Sequence, residues 1–357
     1  MLVQNETGKN DISWPGRLDQ VSTAIKRTAK TGVCILNGII GDYLHDQQNE
    51  LAYSMQLYFQ NEPLDLTPEC LNISHPNITS KACILVHGLA CDETIWNYAD
   101  DGETTYGSLL QRDLGYTPFY LRYNTGRHVS ENGKLFSTVL SDLLRAYPKP
   151  LEEIILIAHS MGGLVTRSAC DYGTEDQTDW VNKVRRVFFL GAPHLGAPLE
   201  KFVNVVSWIL KAVPRPYTKL SGDILDLRSS GIKDLRFGYL RDEDWIRQDP
   251  DALLKNNKKT IPLLAGASHY VITGTLTKDP RHPVTQWFGD GLVRQPSATG
   301  QSSQDRHDIP FIPGHHREFP QVGHLKLTRS PGVYQQIKSW CQEASSSGSS
   351  HYQKANL

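Results

Sequence analysis

The stretch of sequence that decides the fold is residues 154–165, Ile-Ile-Leu-Ile-Ala-His-Ser-Met-Gly-Gly-Leu-Val. Its apolar run, small residues and following apolar helical pattern predict a buried strand, a sharp turn with Ser160 at the apex, and a helix. Such a turn strains the backbone of its apex residue. It also brings strand and helix so close that only small residues, here Ala158 and Gly162, fit two positions from the serine. A buried strand followed by an ordinary Gly-rich turn fits the same pattern, so residues elsewhere in the chain are needed to distinguish the two interpretations.

Length and composition limit the class of protein. The chain has 357 residues, of which 39% are hydrophobic and 21% charged, as in globular proteins with a sizeable core. Its net charge is −1, from 37 basic and 38 acidic residues, so it lacks the basic character of nucleic-acid-binding proteins. No apolar run is long enough for a transmembrane helix, and the first residues do not resemble a signal peptide. We therefore expect a cytoplasmic protein.

The order of strand and helix patterns predicts the architecture. Strands alternate with helices from about residue 82 to residue 192, which predicts a mostly parallel central sheet with helices on both faces. Residues 199–258 break this alternation, and we interpret them as an inserted cap or lid; a peripheral helix pair is the alternative. The strand pattern resumes at 260–266, and a last strand at 317–322 runs into His324. The predicted class is therefore α/β.

The two ends of the chain differ from its middle. Residues 1–50 are predicted to form an amphipathic helical extension, residues 51–342 the α/β domain, and the Ser-rich residues 343–357 a disordered tail. Apolar residues recur at helical spacing through 17–44, with an expected interruption near 31–32. Packing of this face against the core is the favoured interpretation, and peripheral contact with a membrane or lipid surface is the alternative.

Further residues supply the partners that a nucleophilic serine needs. A hydroxyl requires an imidazole to take its proton and a carboxylate to orient that imidazole. In strand–turn–helix enzymes the chain order is serine, acid, histidine. Asp290 and His324 follow Ser160 in that order, each in a Gly-rich segment after a predicted strand. Asp305 and Asp308 are rivals for the acid, but Asp290 is favoured because it lies in a Gly-Asp-Gly turn.

Candidate binding residues lie around these three. The amide of Met161, at the predicted helix N-terminus, and that of Leu89, in the loop after an earlier strand, are the expected oxyanion hole. Trp208, in the predicted lid, and Asn124, after another strand, are candidates for the substrate pocket; Asn124 has the alternative of shaping its loop only. His159 is expected to point away from the reacting groups.

No metal site is predicted. The six cysteines have no CxxC or other metal-type spacing, which also favours a reducing compartment. The pair His315–His316 is weak evidence for a metal because adjacent histidines on a loop are more often solvated.

Several of these motifs together resemble the α/β-hydrolase superfamily, in particular bacterial triacylglycerol lipases and carboxylesterases. They lie at residues 86–89, 158–163, 191–196, 289–293 and 323–324. The likeness covers roughly residues 80–340 and departs from the family pattern at Ala158, where a glycine is usual. It implies an α/β-hydrolase fold and hydrolysis of a small-molecule or lipid ester through an acyl-enzyme, with no organic cofactor.

Other activities share this constellation. A thioesterase, an amidase or an intracellular polyester depolymerase uses the same triad, so the sequence does not separate them from an esterase. A non-catalytic binding module on the same fold is less expected, because such proteins usually lose a member of the triad. The oligomeric state and the acyl group are not predicted.

Overall fold

The structure is a computed structural model that describes residues 14–98, 103–196, 229–246, 259–278, 297, 309–312 and 314–343, with side chains from residue 30 onward. The helices with described bounds are α1 (Trp14–Asp46), α2 (Pro68–Ser74), α3 (Tyr106–Leu114), α4 (Val129–Ala146), α5 (Met161–Glu175), α6 (Ser230–Phe237) and α7 (Pro331–Gln342). The strands are β1 (Gln56–Phe59), β2 (Glu62–Pro63), β3 (Lys81–Val86), β4 (Thr117–Arg122), β5 (Glu153–His159), β6 (Val184–Leu190), β7 (Ser268–Gly274) and β8 (His316–Phe319).

These strands form one eight-stranded sheet in the order β2-β1-β4-β3-β5-β6-β7-β8. Strand β1 is antiparallel to both its neighbours, and the six strands from β4 to β8 are parallel. Helices α4 and α5 contribute to the core on one face of the sheet, and α3 and α7 contribute to the core on the other. The predicted mostly parallel sheet, covered on both faces, is confirmed.

The central strands explain why their sequences are continuous apolar runs rather than alternating ones. In β5, Ile154, Leu156 and Ala158 belong to the core on one face, and Ile155 and Ile157 belong to the core on the other. All five are fully buried. Alternate side chains of a strand point to opposite faces, so a strand covered on both sides needs an apolar residue at every position.

Helix α1 belongs to the same packed unit. The apolar residues Cys34, Ile35, Ile39 and Leu44 are buried, so this part of the amphipathic face packs on the domain. The backbone leaves helical geometry at Ile40 (φ −134°, ψ 25°), not near 31–32, so the predicted position of the interruption was wrong. None of the described helices is both long and apolar enough to cross a bilayer. Contact of residues 17–44 with a lipid surface stays a prediction.

The strand predicted at 260–266 was also wrong, because the strand in that region is β7, Ser268–Gly274. The preceding apolar stretch contains Pro262, which cannot donate to a strand ladder. It ends at Gly266 with φ +80°, a left-handed turn. Strand β7 pairs with β6 from Arg186↔Ser268 onward. Its sequence, Ser-His-Tyr-Val-Ile-Thr-Gly, is less apolar than residues 261–264 and was therefore not predicted as a strand.

The described part of the predicted cap is residues 229–246, which includes α6. This helix packs against α1 and α4. Ser229 caps its N-terminus by accepting a hydrogen bond from the Ile232 amide. Whether residues 199–258 act as a lid stays a prediction.

Candidate active site

Ser160 lies between the last residue of β5 and the first residue of α5, as predicted. Its backbone has φ 54° and ψ −125°, a conformation that a non-glycine residue adopts only where the surrounding structure enforces it. The enforcing contacts are visible: the Ser160 amide donates to the Leu190 carbonyl at the end of β6 (2.9 Å), and the Gly163 amide donates to the Ser160 carbonyl (2.9 Å). The side chain is 8% exposed. The turn therefore presents a nearly buried hydroxyl at the carboxyl edge of the sheet.

The space around this turn admits only small residues. A methyl group added at Gly162 would lie 2.5 Å from the His87 carbonyl oxygen and 2.7 Å from that of Val86. Both atoms are backbone and cannot rotate away. On the other side of Ser160, Ala158 is fully buried between its strand partners Val86 and Phe189. The sequence argument for small residues two positions from the serine is confirmed.

The loop after β3 lies beside this turn, and its backbone direction is fixed. His87 Nδ1 donates to the Gly88 carbonyl (2.9 Å), and the Cys91 amide donates to the same oxygen (3.3 Å). His87 also stacks on Tyr123, whose hydroxyl donates to the His87 carbonyl (2.8 Å). Because the peptide unit is planar and trans, a held Gly88 carbonyl turns the Leu89 N–H to the opposite side.

The second candidate donor, the Met161 amide, is the first of α5, where an N–H has no partner within its own helix and the helix dipole is positive. Within the described part of the chain, neither this amide nor that of Leu89 donates to another group. Met161 is fully buried and Leu89 is 8% exposed. A developing negative charge near Ser160 Oγ is the kind of partner that such donors stabilise.

His324 is brought to the same edge of the sheet by the short 3₁₀ helix His324–Thr328 and is buried. Its ring lies 4.6 Å, centroid to centroid, from that of His159, the neighbour of Ser160. His159 Nε2 donates to the His324 carbonyl (3.1 Å). The structure thus joins His324 to His159, the residue before Ser160, although the two histidines are far apart in the chain.

His159 itself is neutral. Burial, with the nearby His324 adding to it, holds the pKa of His159 well below its usual range. Its acceptor is a carbonyl, so Nε2 carries the proton and Nδ1 does not, which fits a buried Nδ1 without a hydrogen-bond partner. His159 therefore supports the His324 backbone. The sequence contains no signal for this contact, because the two residues are 165 positions apart.

Comparisons with known proteins concern the fold of this chain. Residues 120–259 match the family model of the PGAP1-like alpha/beta domain. This chain has the α/β-hydrolase fold. No curated protein matches it by sequence.

Solved structures that are similar to this chain include one bacterial and one archaeal enzyme. One is the mature lipase BlEst2 of Bacillus licheniformis (16% identity, TM-score 0.47, covering 73% of this chain and 91% of that one). Another is the esterase Pf2001 of Pyrococcus furiosus (13% identity, TM-score 0.42, covering 74% and 80%).

The structure describes only one of three further predicted site residues. Asp290 and Trp208 lie outside the described residues, so their roles stay predictions. Asn124 is described and buried: its Nδ2 donates to the Gly41 carbonyl (2.7 Å) and its Oδ1 accepts from the Gly126 amide (3.0 Å). Both ends of this amide are therefore engaged within the hydrolase fold, as the loop-shaping alternative requires.

No group of three or more potential metal ligands occurs among the described residues. The two adjacent histidines of the sequence are engaged within the sheet edge. His315 Nδ1 is hydrogen-bonded to the His269 carbonyl (3.1 Å), and His316 Nε2 to Thr273 Oγ1 (2.9 Å).

Proposed function

We propose that this chain is a serine hydrolase that cleaves carboxylic esters through an acyl-enzyme. The observation that carries the proposal is the strained Ser160 at the N-terminus of α5, whose neighbour in the chain, His159, contacts His324. A backbone held at φ 54° costs on the order of 1–3 kcal/mol, and such strain concentrates at sites where the geometry of one side chain matters. The fold alone would not carry this proposal, since one fold hosts many activities.

In the proposed reaction Ser160 Oγ attacks the acyl carbon while His324 takes the hydroxyl proton. The carbonyl oxygen becomes an oxyanion, which the Leu89 and Met161 amides stabilise. The C–O bond to the alcohol then breaks, and His324 returns the proton to the leaving oxygen. Water, activated by the same imidazole, releases the acid. Asp290 orients His324 and stabilises its charged form in both halves.

Covalent labelling tests this proposal without knowledge of the natural substrate. A fluorophosphonate probe is expected to modify the protein once, at Ser160, as read by peptide mass spectrometry. Ser168 provides an internal control, because it lies on the same helix but is buried and donates to the Leu240 carbonyl (2.6 Å). Absence of label, or label on a different serine, would contradict the proposed nucleophile and favour a binding module.

The contact between His159 and His324 gives a second prediction. His159→Phe keeps a ring but removes the donor, and we expect kcat for a p-nitrophenyl ester to fall roughly 5- to 30-fold, the equivalent of about 1–2 kcal/mol for one hydrogen bond. His159→Gln retains an N–H near the same place and should keep more of the activity. KM should change little in both variants. A larger loss in His159→Gln than in His159→Phe would show that the ring, not the hydrogen bond, matters.

A further inference from the structure

The C-terminal part of α1 is built into the carboxyl edge of the sheet rather than attached beside it. Its docking segment, residues 37–42, contains the non-helical Ile40. The carbonyls of Gly38 and Ile39 accept hydrogen bonds from the Ser229 hydroxyl (2.7 Å) and the Ser229 amide (3.1 Å). The kink thus occurs where partners distant in the sequence take over hydrogen bonds that a regular helix would make itself.

The same segment reaches the loop after β4. The Gly41 carbonyl accepts from Asn124 Nδ2 (2.7 Å), and Asp42 Oδ2 accepts from both the amide (2.8 Å) and the hydroxyl (2.9 Å) of Ser230. A methyl group added at Gly126 would overlap the backbone of Gly41. The docking segment is therefore joined to two separate elements at the edge that carries Ser160.

One contact of the docking segment bears directly on the candidate oxyanion hole. A methyl group added at Gly38 would lie 2.7 Å from the Cβ and 2.9 Å from the Cα of Ala90, the residue after Leu89. Ala90 is itself in the left-handed region, with φ 54°, and is buried. Its amide donates to Thr125 Oγ1 (3.1 Å). Ala90 is thus confined between α1 on one side and the loop after β4 on the other.

The segment that follows Ala90 is also tied to α1. Lys30 Nζ donates to Glu93 Oε1 (2.7 Å), and Glu93 pairs with Arg122 at the end of β4. Glu93 is 3% exposed; burial would raise the pKa of this carboxyl, but hydrogen bonds from Arg122 and Lys30 outweigh burial and lower it. A buried carboxylate with two cationic donors is fixed in place because losing either donor is costly. Helix α1 therefore holds this loop at two points.

We propose that the docking segment of α1 is a positioning element of the active site: the held Gly88 carbonyl orients the Leu89 amide from one side, and the contact of Gly38 with Ala90 fixes the chain on the other side of Leu89. This inference rests on the proposed function, since it concerns the oxyanion hole of that reaction. It gives residues 37–42 a role in transition-state stabilisation, although none of them touches the reacting atoms. Gly38 is the residue on which the contact depends, because its lack of a side chain allows the helix backbone to meet Ala90.

The test compares two Gly-to-Ala variants in the same helix. Gly38→Ala forces Ala90 to shift, whereas a methyl group at Gly32 meets no atom within 4 Å. We expect Gly38→Ala to lower kcat for p-nitrophenyl butyrate roughly 10- to 100-fold with little change in KM, because misplacement of a catalytic group by about 1 Å costs up to that much. Gly32→Ala should keep the wild-type kcat. Equal kcat values for the two variants would overturn the proposal.

A compensating change separates positioning from general damage. Ala90→Gly removes the Cβ that lies nearest to the added methyl group of Gly38→Ala (2.7 Å) and leaves the Cα at 2.9 Å, and glycine tolerates φ 54° without strain, so residue 90 can shift more easily. The double variant should therefore recover part of the kcat lost by Gly38→Ala. Amide hydrogen exchange across residues 87–92 should be faster than wild type in Gly38→Ala and slower in the double variant than in Gly38→Ala. Should Gly38→Ala not fold, Ser229→Ala, which removes the donor to the Gly38 carbonyl without adding volume, should lower kcat by a smaller factor. No recovery in the double variant, or an unchanged kcat in Ser229→Ala, counts against the proposal.

Different results overturn the proposed ester hydrolysis and the positioning role of α1. A wild-type protein without ester hydrolysis and without fluorophosphonate labelling overturns the proposed function, and the positioning role with it. An active wild type in which Gly38→Ala and Gly32→Ala behave alike overturns the positioning role only. Thermal unfolding of both variants shows whether a lower kcat comes from a smaller folded fraction.

Discussion

Ser160→Ala is expected to lower kcat for ester hydrolysis by roughly 10⁴- to 10⁶-fold, which is the scale on which removal of a nucleophilic serine acts in enzymes with this triad. The variant should fold, because alanine fits the backbone contacts of the turn: the bonds to Leu190 and Gly163 involve only main-chain atoms of residue 160. The proposed oxyanion donors, the Leu89 and Met161 amides, remain in this variant, so a small rate above the uncatalysed one is expected. The measurement is initial-rate kinetics on p-nitrophenyl esters of increasing acyl length, with wild type and variant purified identically.

Ser141→Ala is a suitable control for this prediction. Ser141 lies on α4, and its hydroxyl donates to the Ser137 carbonyl one turn earlier (3.0 Å). Its replacement should leave kcat and KM unchanged. If Ser160→Ala were as active as this control, Ser160 would be excluded as the nucleophile.

The local part of the site was predictable from the sequence because the signals are local. A strand buried on both faces needs consecutive apolar residues, and the turn at Ser160 needs Ala158 and Gly162; all of these lie within nine residues, 154–162. The same holds for the loop at Leu89, which directly follows a buried strand. The strand, the turn and the loop are each confirmed by the structure in their predicted places, and the roles of Ser160 and Leu89 stay predictions.

The parts that sequence reasoning missed depend on contacts between distant segments. The interruption of α1 was expected near Gly32 because glycine weakens a helix. The helix instead departs from regular geometry at Ile40, where Ser229 and Asn124 bind its carbonyls. The role of His159 is of the same kind: nothing around residue 159 indicates a partner at residue 324.

The strand predicted at residues 260–266 was wrong for a different reason, since the error is local. The strand was predicted at the apolar run from Ile261 to Leu264 rather than at the less apolar β7, although the run contains Pro262. Hydrophobicity alone does not identify a strand, because these residues can be buried without ladder hydrogen bonds: Ile261 and Leu264 belong to the core on one face of the sheet. Pro262 and Gly266, both visible in the sequence, were the better guide, and Gly266 indeed adopts a positive φ.

The acid of the proposed triad leads to the second large expected effect. Asp290→Asn should lower kcat by roughly 10⁴-fold, because an amide in this position no longer stabilises the charged imidazole and favours the wrong tautomer of His324. KM should stay nearly constant, since the carboxylate acts on the transition state rather than on the bound ester. The rate of fluorophosphonate labelling at Ser160 should fall in parallel, because labelling needs the same proton transfer.

Asp305→Asn and Asp308→Asn are the matched controls, since both residues also lie between Ser160 and His324 in the chain. Neither should change kcat more than a few-fold, the range expected of substitutions away from reacting groups. A large loss in one of these two, with Asp290→Asn near wild type, would transfer the acid to that residue and leave the roles of Ser160 and His324 intact. Small losses in all three variants would show that His324 is oriented by a group other than these carboxylates. The hydrogen bond from the buried His159 to the His324 carbonyl would then be the main constraint on the backbone of His324.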